Sequence, residues 1–250
     1  MLSNVRPLFH VVFVMSLLVG CAAPVPTTVA TIELPTSTSL PPTEAIPAET
    51  ATLGISGVQV SIPVGENNES FNATITGNGE IAIILGNTVG NDPLRWAPLV
   101  DALSGNENVR IVTFAYRSEA TDTSNPDTRA VFDYLRAEGI DRILCVGAGY
   151  GSRACGYLQN EPEIIGMVLI TVDQPSKIEG DFPKLFLTAD TDSVTPAAVT
   201  QRVYEQSTEP KEFKSYASGR HGNSLFTDPE VGSQVLADAT DFINGIVSSQ

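Results

Sequence analysis

Beyond residue 52 the chain alternates apolar runs with capped, amphipathic segments. Val58-Gln59-Val60-Ser61-Ile62 and Phe71-Asn72-Ala73-Thr74-Ile75-Thr76 alternate at period two. That is the pattern of strands with one covered face, and the two are expected to pair antiparallel. Ile81-Ala82-Ile83-Ile84-Leu85 is apolar throughout, as a strand covered on both faces must be. Asp92-Pro93 opens a helix carrying Leu94, Trp96, Leu99, Val100 and Leu103, because Asp can cap and Pro suits the first helical position. Val109 to Phe114 predicts a strand. Asn125-Pro126 starts a helix bearing Val131, Phe132 and Leu135, which Gly139 ends. Ile143 to Val146 is a further strand, followed by a glycine-rich turn and a helix to about Asn160. Strands follow at Ile164–Ile170, Lys184–Thr188 and Glu212–Tyr216. Helices are expected over Pro196–Gln206 and from a cap at Asp228-Pro229 to Val247. Strands alternating with helices imply right-handed crossovers and a mostly parallel sheet between helical layers, a three-layer α/β domain.

The N-terminal fifty residues break this rhythm. Arg6 precedes a short apolar core, Val11 to Val19, too short to cross ~30 Å of hydrocarbon as a helix. Leu18-Val19-Gly20-Cys21 follows and resembles a bacterial lipobox, which implies cleavage before Cys21 and acylation of its sulfur. An ordinary signal peptide cut elsewhere, or an uncleaved anchor, is the alternative. Ala22 to Thr52 is rich in Pro and Thr and poor in apolar bulk, so it cannot offset its ordering entropy by burial. The expected organisation is a signal segment over 1–20, a lipidated cysteine with an extended tether over 21–52, and one domain over 53–250. The localisation that follows is extracytoplasmic, with the membrane as a partner through Cys21.

Charge narrows the partners. The chain carries 29 acidic against 14 basic residues, a formal net charge of −15, with no Lys/Arg run. Nucleic acid is therefore excluded as a partner class. A small molecule or a surface-bound partner is left open. Besides Cys21, only Cys145 and Cys155 are present. Export permits a disulfide between them, and two small buried side chains are the simpler expectation. No Cys/His cluster has metal-ligand spacing, and no cofactor is expected.

Candidate chemistry begins at Gly147-Ala148-Gly149-Tyr150-Gly151, which leaves a strand and opens a helix. A dinucleotide fingerprint would need its third Gly one position later and an acid at the end of the next strand. A P-loop would need Gly-Lys-Ser/Thr. What the context does match is a nucleophile elbow, G-x-S-x-G, with Gly149 where the serine belongs. Asp190-Thr191-Asp192-Ser193-Val194-Thr195-Pro196 has an Asp four residues before a Pro. Gly219-Arg220-His221-Gly222 follows the last predicted strand. His221 is the one histidine outside the signal segment, which holds His10.

As a set, from Glu80 to Val247, these motifs resemble the α/β-hydrolase family in a version without a cap domain. The resemblance implies Asp192 as the acid and His221 as the base, in the chain order that family uses. It implies that Leu85-Gly86-Asn87 corresponds to the His-Gly-x loop, so that Asn87 and Tyr150 would offer oxyanion N–H groups. Leu85 departs from the histidine of that loop. Ala115 departs from an Asp-x-Arg-Gly turn expected near Phe114-Ala115-Tyr116-Arg117. The largest departure is Gly149 itself, which has no oxygen to attack with.

The sequence therefore predicts a membrane-anchored lipoprotein whose hydrolase-like domain works by binding. Two enzymatic alternatives stay open. One is an ester-type hydrolase with a displaced nucleophile, Ser152 or Ser118. The other is general-base chemistry run by the His221–Asp192 pair.

Overall fold

The computed structural model describes residues 54–65, 69–88, 90–118, 123–173 and 177–250. The signal segment, Cys21 and the whole of the expected tether lie outside the described residues. An eight-stranded sheet forms the centre, in the order β1-β2-β4-β3-β5-β6-β7-β8. Its strands are β1 (Val58–Val64), β2 (Glu69–Gly77), β3 (Ile81–Gly86), β4 (Val109–Phe114), β5 (Arg142–Ala148), β6 (Ile164–Ile170), β7 (Lys184–Ala189) and β8 (Lys211–Tyr216). β1 pairs antiparallel with β2, and β2 antiparallel with β4; from β4 to β8 every pairing is parallel.

Among the described residues, five α-helices cover the sheet: α1 (Ala97–Leu103), α2 (Ser124–Ala137), α3 (Tyr150–Gly156), α4 (Ala197–Gln206) and α5 (Gly232–Ser248). The alternation of side chains along a strand explains why the inner strands are apolar at every position. On β3, Ile81, Ile83 and Leu85 face one core with residues of α1 and α5, among them Leu99, Leu103, Val235, Ala239 and Ile243. Ala82 and Ile84 face the other core, with Val131, Phe132 and Leu135 of α2, Cys155 of α3 and Val203 of α4. On β5, Leu144, Val146 and Ala148 join the first core, and Ile143 and Cys145 the second. Between β6 and β7 no helix occurs among the described residues.

The structure corrects three details. Cys145 and Cys155 are joined in a disulfide that ties β5 to α3. They lie 10 residues apart, and the sharp turn after β5 folds α3 back beside its own strand with the Cα atoms 5.5 Å apart. α3 ends at Gly156, short of Asn160. α5 begins at Gly232, because Asp228 closes a turn instead: its Oδ1 accepts the N–H groups of Glu230 (2.9 Å) and Val231 (3.3 Å).

All the parallel strands deliver their C-terminal ends to one edge of the sheet. In open α/β sheets that edge is where the loops can converge on a ligand.

Candidate functional site

The turn after β5 forms for a steric reason. The Gly151 N–H donates to the Asn87 carbonyl at 2.9 Å, so α3 starts in backbone contact with the loop after β3. A Cβ on Gly151 would lie 2.1 Å from the Gly86 oxygen, so no other residue fits there. Gly149 stands at the apex with φ 52° and ψ −113°, a conformation that side-chain-bearing residues hold only under strain. The elbow backbone is thus present, and its apex carries hydrogen alone.

His221 and Asp192 arrive from β8 and β7. Asp192 is 4% exposed, and its Oδ1 accepts the N–H groups of Val194 (2.8 Å) and Thr195 (3.0 Å). Those two bonds fix the carboxylate, leaving Oδ2 to take His221 Nδ1 at 2.7 Å. A carboxylate can only accept, so Nδ1 carries the proton and Nε2 presents a lone pair. The loop bearing His221 is clamped from β6. Thr171, a β-branched residue held at φ 45°, accepts the Gly222 N–H on its hydroxyl at 3.1 Å. Strain of that kind persists only where surrounding contacts over-determine it.

The Nε2 lone pair is already occupied. Thr88 Oγ1, on the loop after β3, lies 3.0 Å from it. The same oxygen lies 2.5 Å from the point where a Cβ on Gly149 would stand, and His221 Nε2 lies 3.2 Å from that point. Thr88 therefore brings a hydroxyl, from the opposite side, to the place that an elbow side chain would fill. Hydroxyl, imidazole and carboxylate form one continuous relay. The sequence reading passed over Thr88. The available signal was a hydroxyl residue beside Asn87, in the loop that meets the elbow, paired with the loss of a hydroxyl at Gly149.

The two serines fall elsewhere. Ser152, 1% exposed, stitches β5 to β6: its Oγ lies 2.7 Å from the Gly147 carbonyl and 2.9 Å from that of Ile170, and it accepts the Ile170 N–H at 3.1 Å. Its helical position turns it into the core, away from the apex. Ser118 is exposed after β4, and its carbonyl accepts the Thr123 hydroxyl. Thr88, and neither serine, is the hydroxyl at His221.

Asn87 has a structural task. Its side chain donates to the Phe114 carbonyl and to Asn91 Oδ1 (3.2 Å) and accepts the Trp96 indole N–H at 2.8 Å. Its backbone N–H lies against the buried Tyr116 hydroxyl, which makes no hydrogen bond of good geometry. Burial pushes the Tyr116 phenol well above its usual range. Asn91 completes the frame, bonding the Tyr116 N–H and carbonyl at 2.8 Å each. These bonds pin the loop that carries Thr88.

A cleft of about 230 Å³ opens at the apex, lined by Gly149, Tyr150, Asp173, Val194, Thr195 and His221. Tyr150, next in the chain to Gly149, lines this mouth, whereas Asn87 is absent from the lining. Asp173 is the acidic member. Burial raises its carboxyl above the usual carboxylate range, and Arg153, 3.7 Å away, opposes that rise. Its Oδ1 is buried without a hydrogen-bond partner. Among the described residues no group of acidic, His or Cys side chains is arranged to hold a metal ion.

No protein-family model matches the chain, and no curated protein matches it. Solved structures do. A hydrolase from Pseudomonas aeruginosa superposes with a TM-score of 0.61 at 12% identity, covering 76% of this chain and 99% of its own. An esterase from Pyrococcus furiosus gives 0.61 at 15% identity, over 77% of this chain and 91% of its own. An enol-lactonase from Burkholderia xenovorans gives 0.59 at 15% identity, over 74% and 100%. At such identities the likeness speaks for architecture alone: this chain carries an α/β-hydrolase-like domain, a mostly parallel sheet between two helical layers.

Proposed function

We propose that this protein is an ester-type hydrolase of the extracytoplasmic membrane surface, driven by the His221–Asp192 pair acting on an oxygen other than the missing elbow serine. One observation carries the reading. His221 Nδ1 is held at 2.7 Å by a carboxylate fixed on two backbone N–H groups, while its other nitrogen faces a hydroxyl beside an open cleft. An imidazole so oriented is a general base, and the carboxylate stabilises the imidazolium that forms when it takes a proton. The esterase and lactonase architectures above agree with this class and do not specify a substrate.

The membrane part rests on the sequence. Cys21 after Leu18-Val19-Gly20 is the acylation site in this proposal, and residues 22–52 are the spacer that holds the domain off the lipid. A chain with Cys21→Ser should lose its lipid mass and leave the membrane fraction.

The catalytic part is tested on the full-length chain in detergent with a panel of p-nitrophenyl esters. His221→Ala and Asp192→Asn should each reduce kcat/KM by about 10²–10⁴, the range of general-base catalysis and its orientation. Equal turnover in all three proteins would refute the reading. A binding protein with a retired site is the second reading. It is favoured by the bare apex at Gly149 and by the 4% exposure of Thr88. It predicts no turnover at all and a ligand that protects the cleft.

A further inference from the structure

We infer that Thr88 is the attacking nucleophile, a threonine that replaces the elbow serine from the facing loop. The inference rests on the general-base reading of His221 above and adds which oxygen that base activates.

Three observations on separate elements converge on it. The first is position. Thr88 Oγ1 lies 2.5 Å from where a Gly149 side chain would begin, and Gly149 and His221 both line the cleft. Thr88 is itself buried and does not line the cleft, so its oxygen sits directly behind two residues that do. The second is the proton path. Thr88 Oγ1–H donates to His221 Nε2 at 3.0 Å, and Nδ1–H donates to Asp192 Oδ2 at 2.7 Å. Both distances lie within the reach required of a nucleophile and its base. The third is fixation. The Thr88 carbonyl accepts the Asn91 N–H at 3.2 Å, and Asn87 and Asn91 bind the loop to β4 and Trp96. On the other side, Gly222 at φ 59° leaves the room that Thr88 fills: a Cβ there would meet Thr88 Cβ and Cγ2 at 2.9 Å and Oγ1 at 3.0 Å. Gly149 then has a positive role, since any side chain at the apex would displace the threonine hydroxyl.

The chemistry closes without an added reagent beyond water. Thr88 Oγ1 bonds to the acyl carbon of an ester while its proton passes to His221 Nε2. The C–O bond to the alcohol breaks, and the alcohol leaves with that proton. Water, deprotonated by Nε2, then attacks the acyl-threonine. The acid departs, and the proton returns to Oγ1. Tyr150, which follows Gly149 and lines the cleft, is the residue whose backbone N–H would meet the oxyanion. Asp173 on the same wall disfavours anionic groups, so the substrate class is a small neutral or cationic ester.

The test uses the full-length chain in detergent, p-nitrophenyl acetate and a fluorophosphonate probe, with thermal melts to verify folding. Thr88→Val keeps the shape and removes the oxygen. It should lower kcat on the order of 10³-fold or more, while Thr88→Ser should retain turnover. Mass spectrometry should find the phosphonyl adduct on the peptide containing Thr88, and His221→Ala should slow its formation. Turnover that needs His221 but survives Thr88→Val, or an adduct mapped to another residue, would overturn this inference and leave the general-base reading standing. A wild-type chain that neither hydrolyses esters nor takes the probe would overturn both.

Discussion

Putting a serine back at the elbow is the obvious way to seek conventional activity, and the structure predicts that Gly149→Ser alone fails. Two costs arise. A side chain at φ 52°, ψ −113° carries backbone strain of about 1–3 kcal/mol. The new Cβ would also meet Thr88 Oγ1 at 2.5 Å and Thr88 Cβ at 3.3 Å. In a region pinned by Asn87, Asn91 and Gly222, such overpacking costs a further ~1–3 kcal/mol. The single substitution should therefore destabilise by about 2–6 kcal/mol. At roughly 2–4 °C per kcal/mol for a domain of this size, the melting temperature falls by about 4–24 °C. Thr88→Ala removes the closest contact and leaves the strain with two milder contacts, the Cβ of residue 88 at 3.3 Å and His221 Nε2 at 3.2 Å. In that background Gly149→Ser should cost about 1–3 kcal/mol, a coupling of about 1–3 kcal/mol between the two sites. Urea unfolding of the wild type, both single variants and the double variant closes the cycle. The same four proteins assayed on p-nitrophenyl acetate should show elbow-type turnover only in the double variant. Gly149→Ser costing the same in both backgrounds would refute the steric argument.

Ser152→Ala should leave ester turnover unchanged and lower stability by about 1–2 kcal/mol, because the buried Ile170 N–H loses its acceptor; denaturant melts and initial rates check both halves. Replacing Cys145 and Cys155 together by Ala should lower stability by about 2–3 kcal/mol, as expected for a link across a separation of 10 residues, read as a fall in melting temperature that reductant reproduces in the wild type. Asp173 binds its proton more tightly folded than unfolded, because burial raises its carboxyl. Its sign is therefore that stability declines as pH rises from the ordinary carboxylate value toward the raised one. Asp173→Asn should flatten that decline and gain most above it, which melts at pH 3 to 8 would reveal; a slope unchanged by the substitution would count against the burial.

The residues themselves carried much of the architecture. Period-two alternation in Val58–Ile62 and Phe71–Thr76 encodes a half-covered antiparallel pair, and that pair lies at one edge of the sheet. Unbroken apolar runs such as Ile81–Leu85 encode strands with a core on each face. Both are local consequences of which faces must leave water. The order of Asp192 and His221 after successive strands was readable too, and the parallel sheet brings them to one edge within hydrogen-bond distance.

Tertiary structure decided which oxygen meets the base. Thr88 and His221 are 133 residues apart, and no local periodicity records that the loop after β3 leans on the turn after β5. That contact follows from strand order, with β3 beside β5, and from Gly151 allowing the two backbones to touch. The same packing turned Asn87 inward to the Trp96 indole and folded Cys155 back onto Cys145. A pattern along the chain tells which side of an element is buried. Where a single hydroxyl ends up depends on the distance between two elements, and only the packed fold sets that distance.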